Sequence, residues 1–241
     1  MGISLREFIR WLPDEASEPT STIVVTSPGQ HLFVDIRVIR PAGETGAWPT
    51  EDVTVLPDQI DWAIAGTSSS RPVDGKGAGV THGQWRHWID SRTKETEGVI
   101  DEGDNYPVPS DGNLTLEKGV MVNPATGEMT EYEEMWRDVE PGTTAAGNAK
   151  CVVARFDKAD DHRGLIVLFG RYCQGIVRRG GDVAIERWEW VDGSGWKRTV
   201  HGGAGPGLPC ERILADSASL KVGGTVDVGH EKWEVVEVEY T

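Results

Sequence analysis

A chain of 241 residues can form one large domain or two of ordinary size, and a formal net charge of −15 makes phosphate backbones and anionic lipid poor partners for it. Its 30 glycines and 13 prolines, spread among ten tryptophans, suit a folded, turn-rich β protein better than a disordered one. Three cysteines (Cys151, Cys173 and Cys210) show no metal-ligand spacing, and no signal-peptide pattern or membrane-length apolar run occurs, so a reducing compartment, cytoplasm or nucleus, is expected without membrane insertion.

In chain order, Leu5, Phe8, Ile9 and Leu12 have helix-like spacing before Pro13, which predicts a short helix or an arm laid over a barrel mouth. Thr22–Thr26 and Leu32–Ile39 read as a hairpin around Ser27-Pro28-Gly29-Gln30. Along its second arm Val34, Ile36 and Val38 share one face and should point to the core. Phe33, Asp35 and Arg37 share the other, which sends Asp35 and Arg37 to solvent or to a polar lumen.

Ile60–Thr67 reads as a strand whose Ala63 and Ala65 let a neighbour come close. Ser68–Gly79 reads as a surface loop, Val80–Asp90 as a strand, and Ser91–Gly112 as a charged, turn-rich connection. Leu114–Val122 and Met129–Val139 form a second hairpin, with Glu131, Glu133 and Glu134 making an acidic arm. Glu140–Asn148 is small and polar, the composition of a linker. It divides the chain into an N-terminal β-domain, 1–141, and a C-terminal one, 148–241.

Beyond the linker, Ala149–Phe156 and Gly164–Phe169 repeat the hairpin plan. Leu165–Phe169 is the longest purely apolar run and reads as a buried strand. Val183–Val191 places Trp188 and Trp190 on one face. Similar landmarks recur in the same order, which predicts a tandem duplication, and meandering antiparallel strands hide their edges by closing into barrels. The expected fold is all-β, two tandem antiparallel barrels with few short helices.

Catalytic signatures do not stand out. There is no G-x-S-x-G elbow, and His82 and His87, five apart on a strand, leave on opposite faces. No catalytic residue, metal or cofactor is assigned. Glu131, Glu133, Glu186 and Glu189 read as solvated faces. An aromatic and arginine set is more informative: Trp62, Arg86, Trp88, Tyr172, Arg187, Trp188 and Trp190 would plug a packed barrel or line the cavity of a hollow one.

Asp61-Trp62-Ala63-Ile64-Ala65-Gly66-Thr67, Gly77–Val80 running to Trp88-Ile89-Asp90, Gly164–Tyr172 with Gln174-Gly175, and the terminal Trp233–Glu237 resemble the fungal HRI proteins. That family is named for interaction with a casein-kinase-1-type kinase. The resemblance runs from about Thr22 to Tyr240. It implies two lipocalin-like barrels in a cytoplasmic fungal protein, a kinase as protein partner, a link to secretory translocation, and no known enzyme activity. Three readings follow: a non-enzymatic docking protein, a carrier of a small hydrophobic or amphipathic ligand, and an isomerase or cyclase. Filled barrels would favour the first and an open aromatic cavity the second. The third needs a buried carboxylate or histidine of shifted pKa inside that cavity.

Overall fold

The computed structural model describes the whole chain except residues 1, 45, 47, 145–148, 159 and 160. It is built almost entirely of strands, as expected. The first sheet takes β1 (Ile3–Trp11), β2 (Thr20–Thr26), β3 (Leu32–Ile39), β5 (Ile60–Pro72), β6 (Thr81–Asp90), β7 (Ile100–Pro107), β8 (Leu114–Val122) and β9 (Met129–Val139). Each pairs antiparallel with the next, and β1 returns to pair with β9, so the sheet closes into an eight-stranded barrel.

The N-terminal segment is therefore a strand and not a helix or an arm. Ile3 pairs with both Val25 and Val139. A bulge between Arg6 and Phe8 inserts one residue against β9 and shifts the side-chain alternation, so Leu5, Phe8 and Ile9 mimic helical spacing. Two other expectations are corrected. Ser68–Arg71 continue β5 rather than entering a loop, and Ile100–Pro107, inside the stretch read as a connection, are a full barrel strand. Both lack apolar alternation because one of their faces looks into a polar lumen.

The second sheet is separate. Its order is β15 (Thr225–Val228), β16 (Glu231–Tyr240), β10 (Lys150–Asp157), β11 (His162–Phe169), β12 (Tyr172–Arg179), β13 (Asp182–Val191), β14 (Gly195–Gly202) and β4 (Val53–Val55). Its last strand comes from the N-terminal half and runs parallel to β14, Val53 opposite Val200. Among the described residues its ladder does not close as the first one does. The long connection 40–59, which contains β4, thus stitches the first half of the chain onto the second. Of the expected linker, residues 145–148 lie outside the described residues. Before them, Pro141 and Thr143 carbonyls accept from the Arg171 backbone N–H and Nε, each at 2.8 Å.

The run Leu165–Phe169 is apolar at every position because β11 is covered on both faces. Leu165, Val167 and Phe169 join Cys151, Val153, Ile176 and Ile185 in a core shared with Ile23, Val34, Ile36, Ala63 and Ala65 on the outside of the barrel. Ile166 and Leu168 point the other way, onto Trp233, Phe156 and the helix α1 (Cys210–Asp216) with its buried Ile213 and Leu214. Ala63 and Ala65 admit the neighbouring sheet, as their size suggested.

Polar groups cross the same interface. Gln174 Nε2 donates to the carbonyls of Ile23 and Val34, each at 2.9 Å. Arg187 donates to Gln174 Oε1 at 2.7 Å, Ser21 Oγ at 2.8 Å and the Ile36 carbonyl at 2.7 Å. Glu237 accepts from Ser27 Oγ and the Gly29 and Gln30 N–H groups. A buried polar interface satisfied at this density fixes one relative placement of barrel and sheet.

Candidate binding cavity

The Asp35/Arg37 face of β3 looks into the barrel, where it meets the inward faces of the other strands around a cavity of about 310 Å³. An eight-stranded barrel has room for side chains or one small ligand. Here glycine makes the room. A methyl group on Gly103 would lie 2.8 Å from Glu117 Cγ, and one on Gly119 would lie 2.6 Å from the Tyr132 ring. Both side chains therefore fold flat against the wall and leave the centre open.

The walls are aromatic and acidic. Phe33, Trp62, Trp85, Tyr132 and Trp136 supply the rings. Trp62 is held in place: Arg37 stands 5.2 Å and Arg92 4.1 Å from its ring centroid, and its indole N–H donates to Asp90 Oδ1 at 2.8 Å. Asp90 also accepts from His87 Nδ1 at 2.8 Å, and the other imidazole nitrogen faces Asp101 Oδ2 at 3.3 Å. Burial alone would depress His87, but the carboxylates of Asp101 and Asp90 against its two nitrogens outweigh that and raise it to about 9.

The charged wall centres on Arg37. Its Nε and Nη2 donate to Asp35 Oδ2 at 2.9 and 2.8 Å, and its Nη1 to Glu134 Oε1 at 3.3 Å. Arg6 Nη1 reaches the same Glu134 oxygen at 2.5 Å from behind, while its Nε holds Glu18. Burial opposes charge on Arg37, yet Asp35 and Glu134 carry its pKa well above the ordinary value. The other oxygen of Asp35, in a residue 4% exposed, has no hydrogen-bond partner among the described residues, and neither has the buried indole N–H of Trp136. Glu117 accepts from the Tyr132 hydroxyl at 2.7 Å. Burial, reinforced by Glu134, raises its carboxyl to about 8. At neutral pH Glu117 is therefore largely a neutral acid inside the cavity.

Of the seven residues expected to share a cavity, only Trp62 lines it. Arg86 is exposed on the outside of β6. Trp88 lies at the seam with the second sheet, 4.0 Å beneath the Arg155 guanidinium. Tyr172 packs half-buried on the interface core, and Arg187 is sealed within it. Trp188 donates to Glu186 at 2.8 Å and packs on the α1 side, while Trp190 meets Trp196 edge to face.

Phe33, Trp85, Glu117, Tyr132, Glu134 and Trp136 were not singled out. Parity along β9 would have found three of them, since Tyr132, Glu134 and Trp136 share a face that Glu131 and Glu133 do not. The carboxylates read as solvated also divide. Glu131 is exposed, but Glu133 is buried between Arg10 and Lys118, and Glu186 is buried and accepts from Trp188 and the Leu208 N–H.

With this geometry in hand, comparison places the chain among known proteins. The family described as Protein HRI1 matches residues 2–237. Protein HRI1 from Saccharomyces cerevisiae strains YJM789 and RM11-1a is 25% identical over 98% of this chain and 99% of each relative. A solved structure, the uncharacterized protein YLR301w of the same yeast, superposes with a TM-score of 0.72 at 20% identity, covering 98% of both chains, and so shares the fold. The match spans both sheets and nearly every strand, and the chain belongs to the HRI1 protein family.

Proposed function

We propose that this protein is a non-enzymatic binder that carries a small amphipathic molecule in the lumen of its N-terminal barrel. The observation that supports this most is the open cavity of about 310 Å³, walled by aromatic rings and by buried polar atoms that still lack partners. A packed structural barrel would have filled that space with side chains, as the interior side of the second sheet is filled by Trp233, Phe156 and α1. Native mass spectrometry of protein purified from its own host, compared with the denatured chain, tests the reading. A small mass lost on denaturation is expected; a clean mass would argue against a carrier.

A second reading, docking of a casein-kinase-1-type kinase, is favoured by one surface feature. Val120, Val122 and Met129 stand exposed together at the end of the β8–β9 hairpin beside Glu128 and Glu131. Such a patch suits a partner segment that is apolar with basic flanks. Charge-introducing substitutions at Val120 and Val122 should abolish crosslinking to the kinase while leaving the retained small molecule in place. Glu117 also meets the requirement for acid/base chemistry, a shifted carboxyl in the cavity. Conversion of the bound molecule, rather than its unchanged release, would mark an enzyme.

A further inference from the structure

The charge of the lumen narrows the ligand. Five carboxyl groups face the cavity (Asp35, Asp101, Glu117, Glu134 and Asp138). Glu117 is largely neutral, Arg6 backs Glu134 and a protonated His87 backs Asp101, so the balance stays acidic but only slightly. Arg37 is the guanidinium on the wall itself among the described residues. That guanidinium is spent: Nε and Nη2 are on Asp35 and Nη1 is on Glu134. An anionic ligand would thus meet carboxylates, and no lining cation among the described residues is free to receive it. Asp35 Oδ1, buried and without a partner among the described residues, belongs to a carboxyl that burial pushes up in pKa and Arg37 holds down, and as the ionised group it takes a donor. The aromatic walls offer negative ring faces and an apolar surface. Trp136 Nε1, buried and unpartnered, offers a donor to an oxygen on the same molecule.

Resting on the carrier reading above, we infer that the lumen binds a small organic ammonium, a primary or secondary amine on an oxygen-bearing aromatic or aliphatic body, anchored by its N–H to Asp35 Oδ1. A quaternary ammonium lacks the hydrogen this acceptor needs. A neutral alcohol could donate to Asp35 Oδ1 but would bring no charge to it.

The ligand's charge also acts on Glu117. The charged and titratable groups facing it are Tyr132 and Glu134 on β9, Arg37 on β3 and Asp101 on β7. An ammonium entering beside these groups favours the ionised carboxylate, so Glu117 releases its proton as the amine binds. The free group titrates at about 8, so affinity should rise from pH 6 to pH 8. Over that range an alkylamine of pKa about 10 stays charged.

The test is calorimetric titration of the full chain with three matched probes: tyramine, its neutral analogue tyrosol, and 3-(4-hydroxyphenyl)propionate. Tyramine should bind at least about tenfold more tightly than tyrosol, the expected value of one charge-assisted hydrogen bond, and the propionate should not bind. Glu117→Gln keeps an acceptor for the Tyr132 hydroxyl. It should remove the pH dependence for tyramine, with the variant's circular dichroism spectrum as the control for folding; a pH dependence that persists would overturn the coupling to Glu117. Asp35→Asn should weaken tyramine about tenfold, with the variant's circular dichroism spectrum and urea midpoint as the control for folding. Equal or tighter binding of tyrosol or the propionate would overturn the amine assignment while leaving the carrier reading standing. If none of the three binds, the amine assignment falls, and the host-purified protein's mass decides the carrier reading separately.

Discussion

Within the barrel, Glu117 and His87 are two groups that couple stability to pH. Glu117 is neutral-favouring when folded, its carboxyl raised to about 8 by burial with Glu134 beside it. The folded chain thus holds a proton that the unfolded chain releases above about 4.3, and stability falls as pH climbs from there through about 8. Glu117→Gln removes this loss. Urea titrations should show the variant more stable than the parent at pH 8 and equal to it near pH 4. His87 acts through the opposite charge. Against its burial, Asp101 and Asp90 hold the imidazolium, so its contribution is complete below about 6.5 and lost as pH rises through about 9. His87→Gln should flatten that part of the stability profile; an unchanged slope between pH 6.5 and 9 would remove His87 from the account.

At the level of elements, β1 is the closing strand, paired along its length with β9 and at Ile3–Leu5 with β2, with an isolated bridge from Ile9 to Ser17. Its backbone amides should therefore exchange with solvent as slowly as those of β2. Rapid exchange across residues 3–11 would return the segment to the status of an arm. Helix α1 caps the other face of the second sheet, and Ile213→Ala, which opens a cavity against Trp233 and Leu168, should cost about 3 kcal/mol in chemical denaturation. These elements also show what sequence can convey. Hairpins with apolar alternation, β2–β3 and β8–β9, were legible almost to the residue. Strand β1 was not, because the bulge after Arg6 breaks the period of two. Strand β7 was not, because Asp101 and Asn105 alternate with other polar residues, and nothing in such a pattern announces a lumen. The polar lumen itself was legible at Asp35 and Arg37. Whether it stayed open was not, because that depends on glycines 103 and 119 facing Glu117 and Tyr132 across neighbouring strands.

For the molecule as a whole, barrel and sheet share one apolar core and a buried polar seam, with Arg187 at its centre. This guanidinium has no carboxylate within its hydrogen-bonded set. Burial depresses it to about 10, and carbonyl, amide and hydroxyl oxygens from Ile36, Gln174 and Ser21 solvate it instead. Arg187→Leu strands those acceptors and should destabilise the protein by about 3 kcal/mol. Because β4 is donated from one half to the other, the two halves should unfold in one transition. The parity of Arg187 was readable from its strand, but its role was not, since the face it occupies meets a second sheet and no cavity. One consequence for function follows from this architecture. The seam takes up Trp88, Tyr172 and Arg187, leaving the barrel lumen, lined by Trp62, Trp85 and Trp136, as the open aromatic site. The most direct test is a spectrum of the tryptophan indole N–H groups in nitrogen-labelled protein with and without saturating tyramine. The Trp62, Trp85 and Trp136 signals should move while Trp196 and Trp233 stay in place; movement confined to the second sheet's tryptophans, or none at all, would contradict binding in the lumen.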